Sequence, residues 1–214
     1  MLKKEPSNPN ILFLLGRAFE KIGRRDLALQ QYTLATDVPK PEPLYLSHKA
    51  VCLRELDRIE ESIQIFKQLI VLEPNNHKHY SNLGLAYRRE GSYAQAIRVY
   101  TSELRLLPAS PHIFNKRAYC LARVGDLDKA LSDYTSALKI DPANQHSLYN
   151  RGVCLQRLGK VKEAIKDFSE CIRMQPLASM PYFNRAACFD SIGRVEEAMQ
   201  DYSRAIQIDD KHTH

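Results

Sequence analysis

Arginine recurs at a fixed spacing of 34 residues in the middle of the chain, at Arg89, Arg123 and Arg157. A polar residue lies seven positions before each arginine, at Asn82, Lys116 and Asn150. The same spacing of 34 residues leads from Asn150 to Asn184. A guanidinium binds a carboxylate through two parallel hydrogen bonds. An asparagine side chain donates to and accepts from a peptide backbone at once. These residue types, repeated at one spacing, favour recognition of a polypeptide.

The motifs that usually carry enzyme chemistry are absent from the sequence. It contains no GxxxxGK[ST], GxGxxG, HExxH or GxSxG pattern. His77 and His79 lie two residues apart at the start of a predicted helix, so their imidazoles face different directions and do not form a metal site. Five cysteines occur without any CxxC pair. We therefore expect no enzyme activity, no cofactor and no metal.

The elements that position these side chains are repeats of 34 residues. A turn residue recurs at that spacing, at Gly23, Asp57, Gly91, Gly125, Gly159 and Gly193. About 13 residues with apolar side chains at helical spacing precede and follow each turn. Glycine suits a left-handed helix stop, and a proline follows four of the second helices. Each repeat is therefore predicted to be a helical hairpin. The six repeats span residues 9–42, 43–76, 77–110, 111–144, 145–178 and 179–212, with tails at 1–8 and 213–214.

Two positions in each hairpin predict how its helices pack. A small residue recurs in the first helix, as at Gly16 and Gly84, and another recurs in the second helix. Small side chains let paired helices approach closely. Four residues after the second small residue stands a tyrosine or phenylalanine, such as Tyr32 or Phe168. We predict that this ring is part of the core and fills the gap to the neighbouring repeat.

This pattern resembles the tetratricopeptide repeat family over nearly the whole chain. The third repeat carries the family's residues in order: Tyr80, Leu83, Gly84, Tyr87, Gly91, Tyr93, Ala96, Tyr100 and Pro108. The resemblance implies an all-α fold, a right-handed superhelical α-solenoid of antiparallel helix pairs whose first helices line a concave groove. Departures are local: Asp57 replaces the turn glycine, and a proline-rich run over residues 39–43 replaces a single proline. That run is either a stiff junction or a shifted helix stop.

The resemblance also implies which side chains face the groove. It places there Lys78, Asn82, Arg89, His112, Lys116, Arg123, Asn150, Arg157 and Asn184. The amides are similar to the asparagine ladder in the repeat arm of O-linked N-acetylglucosamine transferases, with Lys116 interrupting it here. Such a ladder binds an extended chain without reading its sequence. The same residues also fit a solvated basic face with no specific partner.

The charge distribution favours an acidic partner. The formal net charge is +6, and the third, fourth and fifth repeats contribute +3, +1 and +3. A peptide rich in acidic residues, or a free carboxylate, complements that surface. Nucleic acid is not expected, because 25 acidic residues are interleaved with the basic ones and no nucleic-acid-binding motif occurs. The sequence thus predicts a non-enzymatic protein-binding scaffold.

Two alternatives remain. One is an adaptor that binds the C-terminal carboxylates of heat-shock chaperones, but Ser47 and Val51 stand where that family pattern requires lysine and asparagine. The other is an architectural subunit of a large assembly, such as a ciliary, transport or ubiquitin-ligase complex. No apolar run is long enough to span a membrane, so we expect no membrane insertion and a cytoplasmic location, with the cilium as a variant of the second alternative.

The ends and the cysteines lead to further expectations. Phe13 and Leu14 add apolar side chains to the first helix and are expected to face the groove as contact residues. The last predicted helix carries apolar residues with no helix after it, which indicates a longer array, self-association or a covering partner.

Four cysteines occupy the same place in their repeats, too far apart for disulfides, and are expected to be buried thiols.

Overall fold

The computed structural model describes residues 8–212, with side chains described as far as Asp209. Of the tails predicted at 1–8 and 213–214, only Asn8 lies within that range. The backbone from residue 8 to 212 forms twelve α-helices and no strand. The helices are α1 (Pro9–Lys21), α2 (Arg25–Thr36), α3 (Pro43–Glu55), α4 (Ile59–Leu72), α5 (His77–Glu90), α6 (Tyr93–Leu106), α7 (Pro111–Arg123), α8 (Leu127–Ile140), α9 (Gln145–Arg157), α10 (Val161–Met174), α11 (Ser179–Ser191) and α12 (Val195–His212).

The helices group into two compact units, α1 to α6 and α7 to α12, divided after Leu107. Within the first unit α1 packs on α2, α3 on α4 and α5 on α6, and within the second α7 packs on α8, α9 on α10 and α11 on α12. Each pair is an antiparallel hairpin, as predicted. First helices also contact the next first helix, α3 with α5 in one unit and α7 with α9 and α9 with α11 in the other.

Local capping explains where the helices start and stop. The side chains of Asn8, Asn76 and Asn144 accept backbone N–H groups at the starts of α1, α5 and α9. All five turn glycines adopt a left-handed conformation, with φ between 74° and 89°. Asp57 adopts the same conformation with φ 62°, although an aspartate is less comfortable there than glycine. The predicted helix stops are therefore confirmed, including the one that lacks glycine.

The proline-rich run at residues 39–43 coincides with a shifted helix stop. Helix α2 ends at Thr36, two residues earlier in its repeat than α4, which ends at Leu72. Pro43 is then the first residue of α3, where its missing N–H costs no hydrogen bond.

The recurrent aromatic rings pack first against their own repeats. A Cβ atom added to Gly16 would lie 2.6 Å from the Tyr32 ring, and one added to Gly152 would lie 2.8 Å from the Phe168 ring. The absence of a side chain at these glycines is what lets the ring lie flat on the first helix. The rings also join buried clusters with the following repeat, as Phe168 does with Cys188. The prediction that these rings belong to the core is confirmed. Each ring packs on the first helix of its own hairpin as well as on the following repeat.

The expectation that Phe13 faces the groove is wrong. Its side chain is 5% exposed and belongs to the core cluster of the first unit. The ring stacks on Tyr45 at a centroid distance of 4.6 Å and meets the edge of His48 at 5.1 Å. These aromatic neighbours from α3 provide a buried site that the sequence of α1 alone does not reveal. Leu14 is 59% exposed, in accord with an accessible contact residue.

Helix α12 carries exposed apolar side chains. Val195, Met199 and Ile206 are all more than half exposed, while Ala205 and Ile208 are buried. None of the helices in the described part of the chain is both long and apolar enough to cross a membrane.

Candidate functional site

In each unit the first helices lie next to one another, and we call the surface that they form the first-helix face of that unit. The first unit has one on α1, α3 and α5, and the second unit has one on α7, α9 and α11. Several hydrogen bonds on these faces join residues 28 or 35 positions apart, from one first helix to the next. The predicted ligand-binding residues belong to these helices.

In the first unit, the predicted residues Asn82 and Arg89 are bonded to residues of α3. Nη1 of Arg54 donates to Oδ1 of Asn82 at 2.9 Å, while the Asn82 amide donates to the Lys78 carbonyl of its own helix at 3.0 Å. Nη1 of Arg89 donates to the carbonyl of Arg54 at 2.5 Å, and Nη2 lies 3.5 Å from Glu55. Lys78 is exposed at the start of α5. The site therefore includes Arg54 and Glu55, which the sequence analysis did not select.

Arg54 is an unusual member of this group because its side chain is only 7% exposed. Burial lowers the pKa of its guanidinium, and the carboxylate of Glu55 opposes that effect. A buried cation is stable only when hydrogen-bond acceptors surround it. Asn82 and Glu55 supply those acceptors. The available signal was that Glu55 occupies the place in its repeat that Arg89 occupies in the next.

In the second unit, the predicted residues are distributed over all three first helices. His112, Arg123 and Arg157 are exposed, and Lys116, Asn150 and Asn184 are half-buried. Nη1 of Arg157 donates to the Ala122 carbonyl at 3.3 Å. The amide of Asn184 donates to the Tyr149 hydroxyl at 2.9 Å and to the Met180 carbonyl at 3.2 Å. Within residues 8–209 the amide of Asn150 has no hydrogen-bond partner, so it remains accessible to a ligand.

A cavity of about 300 Å³ opens between α9, the turn after α10, and α11. Its lining combines amides with apolar surface: Gln145, His146, Tyr149, Gln175, Met180 and Pro181. Apolar walls with a few polar groups are typical of ligand-binding sites. The cavity lies beside Asn184, whose amide holds the hydroxyl of Tyr149.

The second unit contains buried ion pairs that were not predicted from the sequence. Arginines of α7, α9 and α11 each bond both carboxylate oxygens of an aspartate sixteen residues later, at 2.7 and 2.8 Å. The pairs are Arg117–Asp133, Arg151–Asp167 and Arg185–Asp201. Their signal was present, because all six residues recur at the 34-residue spacing. Each arginine bonds the second helix of its own hairpin, and Arg185 also donates to Ser169 of α10 at 2.9 Å. These bonds hold the helices that carry the first-helix face.

The cysteines and acidic residues do not add a reactive centre to this face. All five cysteines are free and buried, as expected. From residue 8 to residue 209, His, Cys, Asp and Glu side chains form no group of three or more placed to hold a metal ion.

Sequence comparisons support one family. Models described as Tetratricopeptide repeat match residues 49–111 and 81–145, residues 147–176 and residues 181–212. A curated relative, Small glutamine-rich tetratricopeptide repeat-containing protein 2 of Mycosarcoma maydis, is 31% identical over 83 residues. That match covers 39% of this chain and only 24% of the relative.

Solved structures share the fold at low identity. A tetratricopeptide repeat protein from Parabacteroides merdae superposes with a TM-score of 0.82 at 16% identity, covering 93% of this chain and 79% of that one. MamA from Desulfovibrio magneticus gives 0.75 at 16% identity, covering 79% and 96%. YrrB, described as a TPR protein with an unusual peptide-binding site, gives 0.71 at 19% identity, covering 85% and 94%. With the six helical hairpins of residues 9–212 and these matches, the chain belongs to the tetratricopeptide repeat family, an all-α helical repeat fold that serves as a protein-interaction scaffold.

Proposed function

We propose that this chain is a non-enzymatic scaffold whose second unit binds an acidic polypeptide segment on its first-helix face. The observation that carries the proposal is the charge of that face. Its positions along α7, α9 and α11 include no acidic residue: His112, Lys116, Tyr119, Arg123, His146, Asn150, Val153, Arg157, Met180, Asn184, Ala187 and Ser191. A face that carries several cations attracts a negatively charged chain.

The polar groups of the face suit an extended peptide. The accessible amide of Asn150 can both donate to and accept from a peptide unit. The cavity beside Tyr149 and Met180, of about 300 Å³, has room for a side chain of the peptide. We therefore infer that backbone contacts at Asn150 and one anchored side chain set the register, while the cations supply attraction. The peptide-binding site for which YrrB is described supports a similar use of the shared fold.

A charge-reversal variant tests this proposal. Lys116→Glu, Arg123→Glu and Arg157→Glu combined should weaken binding of a fluorescein-labelled hexaglutamate peptide by more than about ten-fold, because charge-assisted hydrogen bonds contribute roughly 1.5–3 kcal/mol each. Fluorescence anisotropy at low and high salt measures the affinity, and circular dichroism confirms the helix content.

The matched control reverses three exposed lysines of the second helices, Lys139→Glu, Lys162→Glu and Lys166→Glu. It has the same net charge as the first variant, so it should retain most of the affinity. Equal losses in the two variants would mean that the peptide responds to net charge alone and would contradict a site on the first-helix face.

A second candidate function, as a subunit of an assembly, is favoured by the exposed apolar residues of α12. Met199 is 64% exposed and Ile206 60% exposed. If this surface mediates self-association, sedimentation velocity at high micromolar concentration will show a dimer or larger species. The double variant Met199→Glu and Ile206→Glu will return it to a monomer, whereas a wild-type monomer throughout that range contradicts self-association through α12.

A further inference from the structure

The carboxylate of Glu55 lies between two guanidinium groups in the first unit. Its Oε1 is 3.3 Å from Nε and from Nη2 of Arg54, and its Oε2 is 3.5 Å from Nη2 of Arg89. Each carboxylate oxygen thus faces a different arginine. Two cations directed at one carboxylate form the arrangement by which proteins recognise a carboxylate ligand.

The two arginines are held in place by bonds that do not involve Glu55. Arg54 is buried and donates to Asn82 at 2.9 Å. Arg89 donates to the backbone carbonyl of Arg54 at 2.5 Å. Because these bonds persist when the carboxylate leaves, the pair of guanidinium groups is preorganised for another acceptor.

The contacts of Glu55 itself are loose. Charge-assisted bonds between a guanidinium and a carboxylate are usually about 2.7–2.9 Å long. The Arg151–Asp167 pair of the same protein meets that standard at 2.7 and 2.8 Å. Glu55 reaches only 3.3–3.5 Å, and its side chain is 31% exposed. A carboxylate held this loosely at the surface is readily exchanged for one that fits better.

The place of Glu55 in its repeat also sets it apart. The same position is arginine in the next three repeats, at Arg89, Arg123 and Arg157. Glu55 is therefore an acid in a row of cations, next to the first of them. Its carboxylate is the kind of group that the arginines at this repeat position would bind in a partner.

We propose that Arg54, Asn82 and Arg89 form a subsite for a carboxylate of a bound polypeptide, and that Glu55 occupies it as an internal competitor. This inference rests on the proposed function, since it takes the ligand to be an acidic polypeptide. A ligand carboxylate replaces that of Glu55, accepts hydrogen bonds from both guanidinium groups and releases Glu55 to solvent. Glu55 thereby lowers the affinity of the first unit and restricts it to ligands acidic enough to displace it.

The test follows the Nε–Hε resonances of Arg54 and Arg89 in nitrogen-15 spectra during titration with acetylated, amidated hexaglutamate. Glu55→Gln keeps the side-chain shape but removes the competing charge. Half-saturation at Arg89 should then occur at about two- to five-fold lower peptide concentration, the change expected for loss of one exposed ion pair. Glu60→Gln is the matched control, because it changes the net charge equally at an exposed position of α4.

Two further arms complete the experiment. Arg89→Gln added to Glu55→Gln should abolish the gain, read in this variant from the Arg54 resonance, because one of the two cations is lost. A hexaglutamine peptide with a free C-terminus distinguishes a terminal carboxylate from acidic side chains, and shifts at Arg89 with that peptide assign the subsite to the terminus.

Each remaining outcome contradicts the inference. If Glu55→Gln and Glu60→Gln titrate alike, Glu55 does not compete. If hexaglutamate shifts residues of α7, α9 and α11 but leaves Arg54 and Arg89 unchanged in every variant, the subsite is refuted while the proposed function stands. If no residue shifts with hexaglutamate, both fail.

Discussion

Arg151 donates two hydrogen bonds to the carboxylate of Asp167, from Nε at 2.7 Å and from Nη2 at 2.8 Å, and so joins the two helices of one hairpin. The carboxylate is 8% exposed, so water cannot replace the arginine. The hydrogen bonds that Arg151 donates to Asp167 raise the pKa of the guanidinium and keep it charged. Since such a pair recurs in every hairpin of the second unit, it orients the helices on which the proposed binding residues lie.

Removing the cation of this pair should destabilise the protein. Arg151→Met keeps the apolar stem but leaves the Asp167 carboxylate buried without its partner, so the free energy of unfolding should fall by about 2–4 kcal/mol. Urea unfolding followed by circular dichroism measures the change. Arg151→Met with Asp167→Leu should recover much of it, because no unpaired charge remains. Glu170→Gln, which breaks an exposed pair with Arg173, should leave the midpoint unchanged; an equal loss there would contradict the role of burial.

The adjacent residues Phe13 and Leu14 should respond very differently to truncation. Phe13→Ala removes a ring buried among Tyr32, Tyr45 and His48, and should lower the free energy of unfolding by about 3–5 kcal/mol. Leu14→Ala removes an exposed side chain and should change it by less than about 0.5 kcal/mol. Thermal and urea unfolding measure the free energy of unfolding of both variants. Similar losses in the two would indicate that Phe13 is at the surface.

Asp57 offers a stabilising substitution. Its φ of 62° is left-handed, a conformation that costs a residue with Cβ roughly 1–2 kcal/mol. Asp57→Gly should therefore raise the free energy of unfolding by about 0.5–1 kcal/mol, the relief being partly offset by the greater entropy of an unfolded glycine. The reciprocal change Gly91→Asp, at φ 85°, should lower it. The urea midpoint measures both, and a loss of stability in Asp57→Gly would show that the aspartate side chain has a stabilising contact.

The buried thiols should make the protein less stable at alkaline pH. Burial raises the pKa of Cys52 and of Cys171 to about 11, whereas an unfolded cysteine titrates near about 8.5. Between these values the unfolded chain binds fewer protons than the folded chain, so the free energy of unfolding decreases as the pH rises. Urea midpoints from about pH 8 to 10.5 should therefore fall less steeply in Cys52→Ala with Cys171→Ala than in the wild type. Identical slopes would show that other groups govern the alkaline loss.

The candidate site shows where sequence-based prediction succeeds and where it stops. Asn82 and Asn184 lie on the first helices as predicted, because helical periodicity places them there. Their bonds to Arg54 and to Tyr149 were not predicted, since each joins helices from two different repeats. Arg117 and Asp133 were missed for another reason. Their spacing was visible in the sequence, but a pair sixteen residues apart has meaning only once the hairpin brings the two helices together.

Local sequence is enough to predict the hairpins, their 34-residue period and their turns, because capping asparagines, prolines and left-handed turn residues act on the backbone within a few positions of themselves. The tertiary structure alone decided that Phe13 is buried and that Glu55 already occupies the space between Arg54 and Arg89. The physical reason is that side-chain packing and charge pairing depend on distances between helices. Those distances are established only when one repeat stacks on the next.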